Sequence, residues 1–486
     1  MNAPSDVPFL QAPACGAGLG PPHVVAVPTD PLPDPHWVAW NAPLAVALGL
    51  PATPDAGWLA RLSGHLDTPP WCTAYAGHQF GVWAGQLGDG RAHTLGCLPL
   101  QGVPQEIQIK GAGRTPFSRQ GDGRAVLRSS IREYLASEAM AALGIPTTRA
   151  LAITGSALPV ARETVETAAI VTRVAPSFLR FGHFEHLAHH GHPEALRALT
   201  DHVIATFYPD CAAAPVPALA LLARVVERTA QLMARWQALG FCHGVMNTDN
   251  MSILGLTLDY GPFGFLDRFD FGHVCNHSDH EGRYAYHQQP RIGLWNCGAL
   301  ASALWSLIGD EAAVGAVMDT YAPTFQATFN EALRARLGLA TAEPEDDELA
   351  SALLTLMQRQ GVDMTRFFRA LCALEVDAPQ QDGPLRRLAG EGADGTAWLA
   401  RYRQRLARET RPEAERQAAM RRANPKYVLR NYLAELAIRD ADDGRFETLA
   451  TLAQVLAAPF DEHPAHEDWA GPPPDWAGTL AVSCSS

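Results

Sequence analysis

The chain has 486 residues, 47% of them hydrophobic and 18% charged, enough apolar material for a large globular core divided into two or three domains or lobes. Its formal charge of −13 argues against nucleic acid as the main partner, because phosphate neutralisation needs Lys and Arg, so any anion must meet a local basic patch. Nine cysteines without a Cys-x-x-Cys pair suggest neither a disulfide framework nor a zinc ribbon.

The first residues lack a basic flank and an apolar run of signal-peptide type, and the aliphatic segment 218–226 is broken by Arg224. A cytoplasmic protein with no membrane partner is therefore expected. Residues 1–70, rich in Pro and Gly, read as an N-terminal wrapping segment with a few short helices such as 43–50. Residues 71–180 show short strands, glycine turns and one long helix. Helical periodicity dominates 181–425, for example 221–239, and 426–486 holds the last helices and a tail. The segments 343–347 and 378–395 read as exposed connections.

Gly85-Gln86-Leu87-Gly88-Asp89-Gly90-Arg91 is the first chemical feature. Glycines there let backbone N–H groups approach phosphates, although Asp-Gly between two strands is also an ordinary hairpin turn. In Glu106-Ile107-Gln108-Ile109-Lys110 the alternation puts both isoleucines on one strand face and Gln108 with Lys110 on the other. Lys110 then stands where a kinase strand lysine meets phosphates, or faces solvent. From Lys110 to Arg132 there are six basic residues against one acid, Asp122. A helix is expected over 124–143, opened by Gly121-Asp122-Gly123 with Asp122 as N-cap and closed by Gly144. Glu133 on that helix is placed to pair with Lys110 or, alternatively, with a neighbouring arginine.

Ile170 to Val174 alternates with Arg173 on its polar face, and Arg180 follows after a turn. Two further arginines exceed what ATP needs in the ordinary kinase pose. The central motif is His243-Gly244-Val245-Met246-Asn247-Thr248-Asp249-Asn250, with Asp259-Tyr260-Gly261 nine residues on. Aligned on a kinase catalytic loop, Asn250 and Asp259 take the metal positions, and Val245 stands where the base should be. Residues 251–254 and 257–258 are expected to form a hairpin delivering Asp259. Asp249 is the nearest carboxylate able to act as base, or else a turn aspartate capping its own backbone. His273, Cys275, His277 and His280 raise zinc only weakly, since no second ligand cluster accompanies them.

Taken together, these runs resemble the selenoprotein O (SelO/YdiU) family of protein adenylyltransferases. The similarity rests on Tyr75 to Gly81 with Gln86 to Arg91, Lys110 to Arg119 through Glu133-Tyr134, His243 to Asp259, Asn276 to Tyr284, and Asn424 to Tyr432. It implies an α+β, protein-kinase-like bilobal (pseudokinase) fold with additional N- and C-terminal helical segments. It also implies flipped ATP, Mg2+ or Mn2+, and transfer of AMP to Ser, Thr or Tyr hydroxyls of protein partners; a monomer is a separate expectation that the sequence itself does not reveal. By motif, Gly88, Gly90, Arg91, Lys110, Asp122, Gly123, Arg173, Arg180 and Asp259 resemble the nucleotide ligands. Glu133 resembles the partner of Lys110, Asp249 the proton acceptor, and Asn250 with Asp259 the metal ligands. Many eukaryotic members carry selenocysteine near the C-terminus, where this chain has Cys484. A regulatory Cys484–Cys275 disulfide is one expectation, and an unpaired tail cysteine the other. A kinase-type phosphotransferase is disfavoured by Val245, and an inactive nucleotide-binding scaffold by the retained Lys110, Asn250 and Asp259.

Overall fold

The computed structural model describes residues 19–390 and 392–482. Its N-terminal part is built on an antiparallel sheet. In chain order the strands are β1 (Val24–Ala26), β2 (His36–Trp40), β3 (Trp71–Thr73), β4 (His78–Gln79), β5 (Val82–Trp83), β6 (Ala92–Leu100), β7 (Val103–Lys110), β8 (Ala125–Val126), β9 (Arg149–Ala161) and β10 (Val165–Ala175). The main sheet runs β1-β3-β6-β7-β10-β9-β2, with β8 added on β10, while β4 and β5 form a separate hairpin. The segment before residue 70 therefore does more than wrap, because β1 and β2 are the two edges of the sheet. Their shortness and the prolines around them hide them from a periodicity reading.

The period-2 alternation decides which side chains meet. Ile107, Ile109, Ile170 and Val174 point to the face covered by the short helices α1 (Ala42–Ala47) and α2 (Ala56–Leu62), forming one core. Fully burying each such aliphatic side chain contributes about 1.5–3 kcal/mol. Gln108, Lys110 and Arg173 consequently share the opposite face, where β7 and β10 pair Gln108 with Arg173 and Lys110 with Val171. Against that face lies α3 (Leu127–Ala142), whose buried Ser130 and Ser137 keep its flank thin.

Beyond residue 180 the chain is mostly helical, beginning with α4 (Phe181–His189), α5 (Pro193–Phe207) and α6 (Pro217–Leu239). The apolar stripe of α6, including Leu221, Val225, Met233 and Trp236, lies at the centre of the largest core. Gly240 ends it in the left-handed conformation at φ 73°, which favours glycine. A second helical core gathers Phe367, Phe368, Trp398 and Tyr402. The last long helices, Asn431–Asp442 and Glu447–Ala457, return to pack on α3, and Asn431 Oδ1 accepts from Arg132 at 3.1 Å. The chain end thus braces the helix that carries Glu133.

Several expectations need correction. Helix α3 starts three residues later than expected, with Val126 as its uncapped N-cap; Asp122 instead accepts the Arg124 N–H at 2.9 Å in a local turn. Residues 251–258 form a turn, Gly255 N–H to Ser252 O, but no internal ladder. Ser252 bridges to Arg180 and Thr257 to Thr147, so this segment pairs outward. Asp346 is buried against Arg405 at 2.6 Å rather than exposed. The 378–395 stretch contains short helical pieces, Pro379–Gln381 and Gly383–Leu388. Among the described residues no helix is long and apolar enough to cross a membrane.

Candidate active site

Strands β11 (Phe241–Cys242) and β12 (Gly264–Phe265) pair and close the intervening loop on itself, bringing Asp259 back beside Asn250. His243 Nε2 and Leu258 O, 3.0 Å apart, tie the two arms, with the imidazole stacked on Trp236. Burial lowers the His243 pKa, which suits a structural imidazole. Asp259 has φ 56°, a left-handed conformation that aspartate tolerates better than most residues.

A cavity of about 810 Å³ lies between the sheet and this loop. Gly88, Gly90, Arg91, Lys110, Asp122, Gly123, Glu133, Arg173, Arg180, Asp249, Asn250 and Asp259 all line it. The glycine loop is not a hairpin turn, since β5 pairs with β4 whereas β6 pairs with β3 and β7. Gly88 has φ 143°, and a Cβ there would lie 2.5 Å from the Phe117 ring, so glycine is required on both counts. The Asp89 carboxylate accepts from Thr73 N at 2.8 Å and Thr73 Oγ1 at 2.6 Å.

Lys110 Nζ is 2.7 Å from Glu133 Oε2 and 3.6 Å from Asp259 Oδ1. Arg173 reaches Glu133 Oε1 at 3.1 Å and Asp259 Oδ1 at 2.5 Å, and Arg180 binds Asp259 Oδ2. Burial alone would raise the Asp259 pKa, but Arg180, Arg173 and Lys110 hold it well below the usual carboxylate range. Burial lowers the Lys110 pKa, and the nearby Glu133 opposes that shift.

Asp249 has the opposite environment. It is 7% exposed, and burial raises its pKa to about 6 against the pull of the Gln79 hydrogen bond and Arg180. Gln79 Nε2 donates to Oδ2 at 3.1 Å, whereas Oδ1 is buried without a partner. Val245 lines the same cavity and offers no proton acceptor.

The family described as Protein adenylyltransferase SelO matches residues 13–457. The chain belongs to the SelO family. It is 52% identical to the protein nucleotidyltransferase YdiU of Burkholderia vietnamiensis and 54% identical to those of Burkholderia pseudomallei and Burkholderia multivorans. Each alignment covers all of this chain and 96% of the relative. SelO is thus an enzyme family of nucleotidyltransferases.

Within the SelO-family cavity several groups escape sequence reading. Arg162, in the turn between β9 and β10, forks onto Asp122 at 2.7 and 3.0 Å and donates to Arg124 O. Gln108 accepts from Arg173. Its position two residues before Lys110, on the same strand face, is the one available signal. Gln79 reaches Asp249 across 170 residues of sequence. Of the basic run, Arg124 pairs with Asp30, Arg128 with Glu166, and Arg132 stacks on Phe263 and donates to its carbonyl. The alternative partner for Glu133, a neighbouring helix arginine, is not taken.

Asn250 donates its Nδ2 to Val245 O at 3.1 Å, which leaves Oδ1 as a free oxygen donor. With the ionised Asp259, whose oxygens Arg173 and Arg180 bind here, this makes a hard-oxygen pair of the chemical type that Mg2+ or Mn2+ accepts. Among the described residues no group of three His, Cys, Asp or Glu forms a metal site, and the His273 to His280 run does not converge. Cys275, the expected partner of Cys484, is a buried thiol donating to Cys242 O at 3.5 Å. Cys484 lies outside the described residues.

Proposed function

We propose that this chain is a cytoplasmic protein adenylyltransferase transferring AMP from ATP to Ser, Thr or Tyr hydroxyls of other proteins. The scaffold is a kinase-like bilobal arrangement, with the smaller lobe over 71–180 and the helical lobe over 181–425. One observation carries the reading. The unpartnered Asp249 Oδ1 shares a cavity with Lys110, Arg173 and Arg180, while Val245 occupies the kinase base position. Family membership supports the same reaction class.

In the reaction, Asp249 accepts the proton of the acceptor hydroxyl as its oxygen attacks the α-phosphorus. The bond from that phosphorus to the bridging oxygen breaks, and the electron pair leaves with pyrophosphate. Lys110, Arg173 and Arg180 stabilise the charge that develops on the leaving group, which places the β- and γ-phosphates of a flipped nucleotide among them. Glu133 holds the Lys110 ammonium in position, and Arg91, Asp122 and the backbone at Gly88, Gly90 and Gly123 hold the rest of the nucleotide. Asn250 and Asp259 are the residues that would hold a magnesium or manganese ion, which when bound would supply Lewis-acid polarisation of phosphate oxygens.

Gly77 gives a local test. A Cβ there would lie 2.9 Å from both Asp249 Oδ1 and Thr248 Oγ1. Relieving that contact shifts the base, and Gly77→Ala is expected to lower kcat by about 10- to 100-fold with ATP affinity unchanged, as read by steady-state kinetics. Incubation with ATP labelled at either the α- or the γ-phosphate tests the reading itself. Label from the α position on protein supports it; γ label alone overturns it in favour of a phosphotransferase, and neither label favours a scaffold.

A further inference from the structure

The hairpin His78–Trp83 is fastened to the loop that carries Asp249. Gln79 binds the Asp249 carboxylate, His78 N donates to Thr248 Oγ1 at 2.7 Å, and Phe80 N donates to Tyr284 Oη at 2.8 Å. Tyr284 Oη in turn donates to Asn247 Oδ1 at 2.6 Å. The hairpin tip is therefore rigid with respect to the base. It is also apolar and turned outward, with Phe80 38% exposed at φ 52° and Val82 70% exposed. The left-handed region is unfavourable for phenylalanine, so the surrounding bonds hold it in a strained place.

The apolar surface continues onto Trp295, 39% exposed, through the His78 ring, which makes edge contacts with Trp83 and Trp295 at 5.2 and 5.3 Å. The Arg283 guanidinium lies 4.9 Å from the Trp295 ring centre and 5.9 Å from that of Tyr284, and no carboxylate pairs with it among the described residues. Phe80 and Gln79 line the same cavity as Asp249, so this face is continuous with the catalytic cleft.

We propose that Phe80, Val82, Trp295 and Arg283 form the docking face for the acceptor polypeptide, taking a segment with an apolar side chain beside its hydroxyl residue and a carboxylate opposite Arg283. The inference rests on the AMP-transfer reading. The fixed distance from the hairpin tip to Asp249 sets which hydroxyl along the bound segment is presented to the base. This guanidinium, without a carboxylate partner among the described residues, supplies the charge complementarity that orients the segment. Apolar contact with the tip supplies the anchor.

The test uses the full chain, α-labelled ATP, and Ser, Thr and Tyr peptides whose neighbour to the hydroxyl residue is Leu or Lys, with Glu or Lys further along. The wild type is expected to favour the Leu- and Glu-bearing peptides. Val82→Glu is expected to lower kcat/KM for them by about tenfold or more, mostly through KM, with ATP binding unchanged. Arg283→Glu is expected to reverse the preference from Glu- to Lys-bearing peptides, an outcome that misfolding cannot produce. Peptides labelled without any such preference, or a preference that survives both substitutions, overturn the docking face alone. No label on any peptide overturns the AMP-transfer reading and the docking face together. A wild type that sediments as a dimer beside a monomeric Val82→Glu chain assigns the face to a second copy and overturns the proposal.

Discussion

Asp249→Asn is expected to lower kcat by about 10²–10⁴-fold while ATP affinity changes little, the range associated with loss of a general base. The amide keeps the shape and the contact with Gln79 but cannot accept a proton. The free enzyme's kcat/KM should fall on the acid side with an apparent pKa near 6, because burial raises that of Asp249 to about 6. Below that pH the carboxyl is protonated and inactive, and the Asn variant should lack this acid limb. Stability changes in the other direction. A carboxyl whose folded pKa lies above its unfolded value of 3.8 binds more protons in the native state, so its contribution to stability falls as pH rises from about 4 to 6. At neutral pH, Asp249→Asn is therefore expected to be more stable by up to ~3 kcal/mol. Urea denaturation beside pH–rate profiles checks both halves. A variant with less stability and an unchanged acid limb would show that Asp249 is a structural turn residue.

Asp259→Ala is expected to abolish transfer and to destabilise the fold by about 3–5 kcal/mol, the cost of leaving a buried partner charge uncompensated. Arg173 and Arg180 are 2% and 1% exposed, and Asp259 takes one bond from each. Arg173 would keep Glu133 and Gln108, while Arg180 would keep only carbonyl oxygens, those of Phe178 and Asp249. The pH sign follows from the depressed pKa of Asp259. Its stabilisation is complete above the unfolded carboxylate pKa and is lost as pH falls through the folded one, so the variant's stability should depend less on acid than the wild type's. ATP with a chelator should stabilise Asp259→Ala more than the wild type, because the triphosphate supplies the missing anion. Denaturation midpoints across pH, with and without ATP, measure this. Equal midpoints for variant and wild type would remove Asp259 from the ionic centre.

The parts of the site that sequence reveals are those in which regular periodicity fixes direction. Alternation along Glu106 to Lys110 and Ile170 to Val174 puts Lys110 and Arg173 on one face, and helical spacing turns Glu133 towards them. The loop spacing likewise brings Asn250 and Asp259 to the same cavity. Contacts made by irregular chain are not legible in this way. Arg162 meets Asp122 because the turn after β9 folds over the glycine segment, and Gln79 meets Asp249 because a hairpin docks on a loop far away in sequence. Asp122 reads as a helix cap because an aspartate that closes a local turn and one that caps a helix have the same sequence signature. Residues 251–254 and 257–258 read as the two arms of a hairpin, but local sequence does not say which segment supplies the ladder partner.

Identification of both products from one turnover tests the central claim most directly. The full chain, ATP and a hydroxyl-bearing acceptor are incubated, the acceptor is weighed intact, and pyrophosphate and ADP are quantified. A base at Asp249 facing a cationic leaving-group pocket predicts an acceptor heavier by one adenylyl group and an equal amount of pyrophosphate. An acceptor heavier by a phosphoryl group, with ADP as the second product, would contradict it.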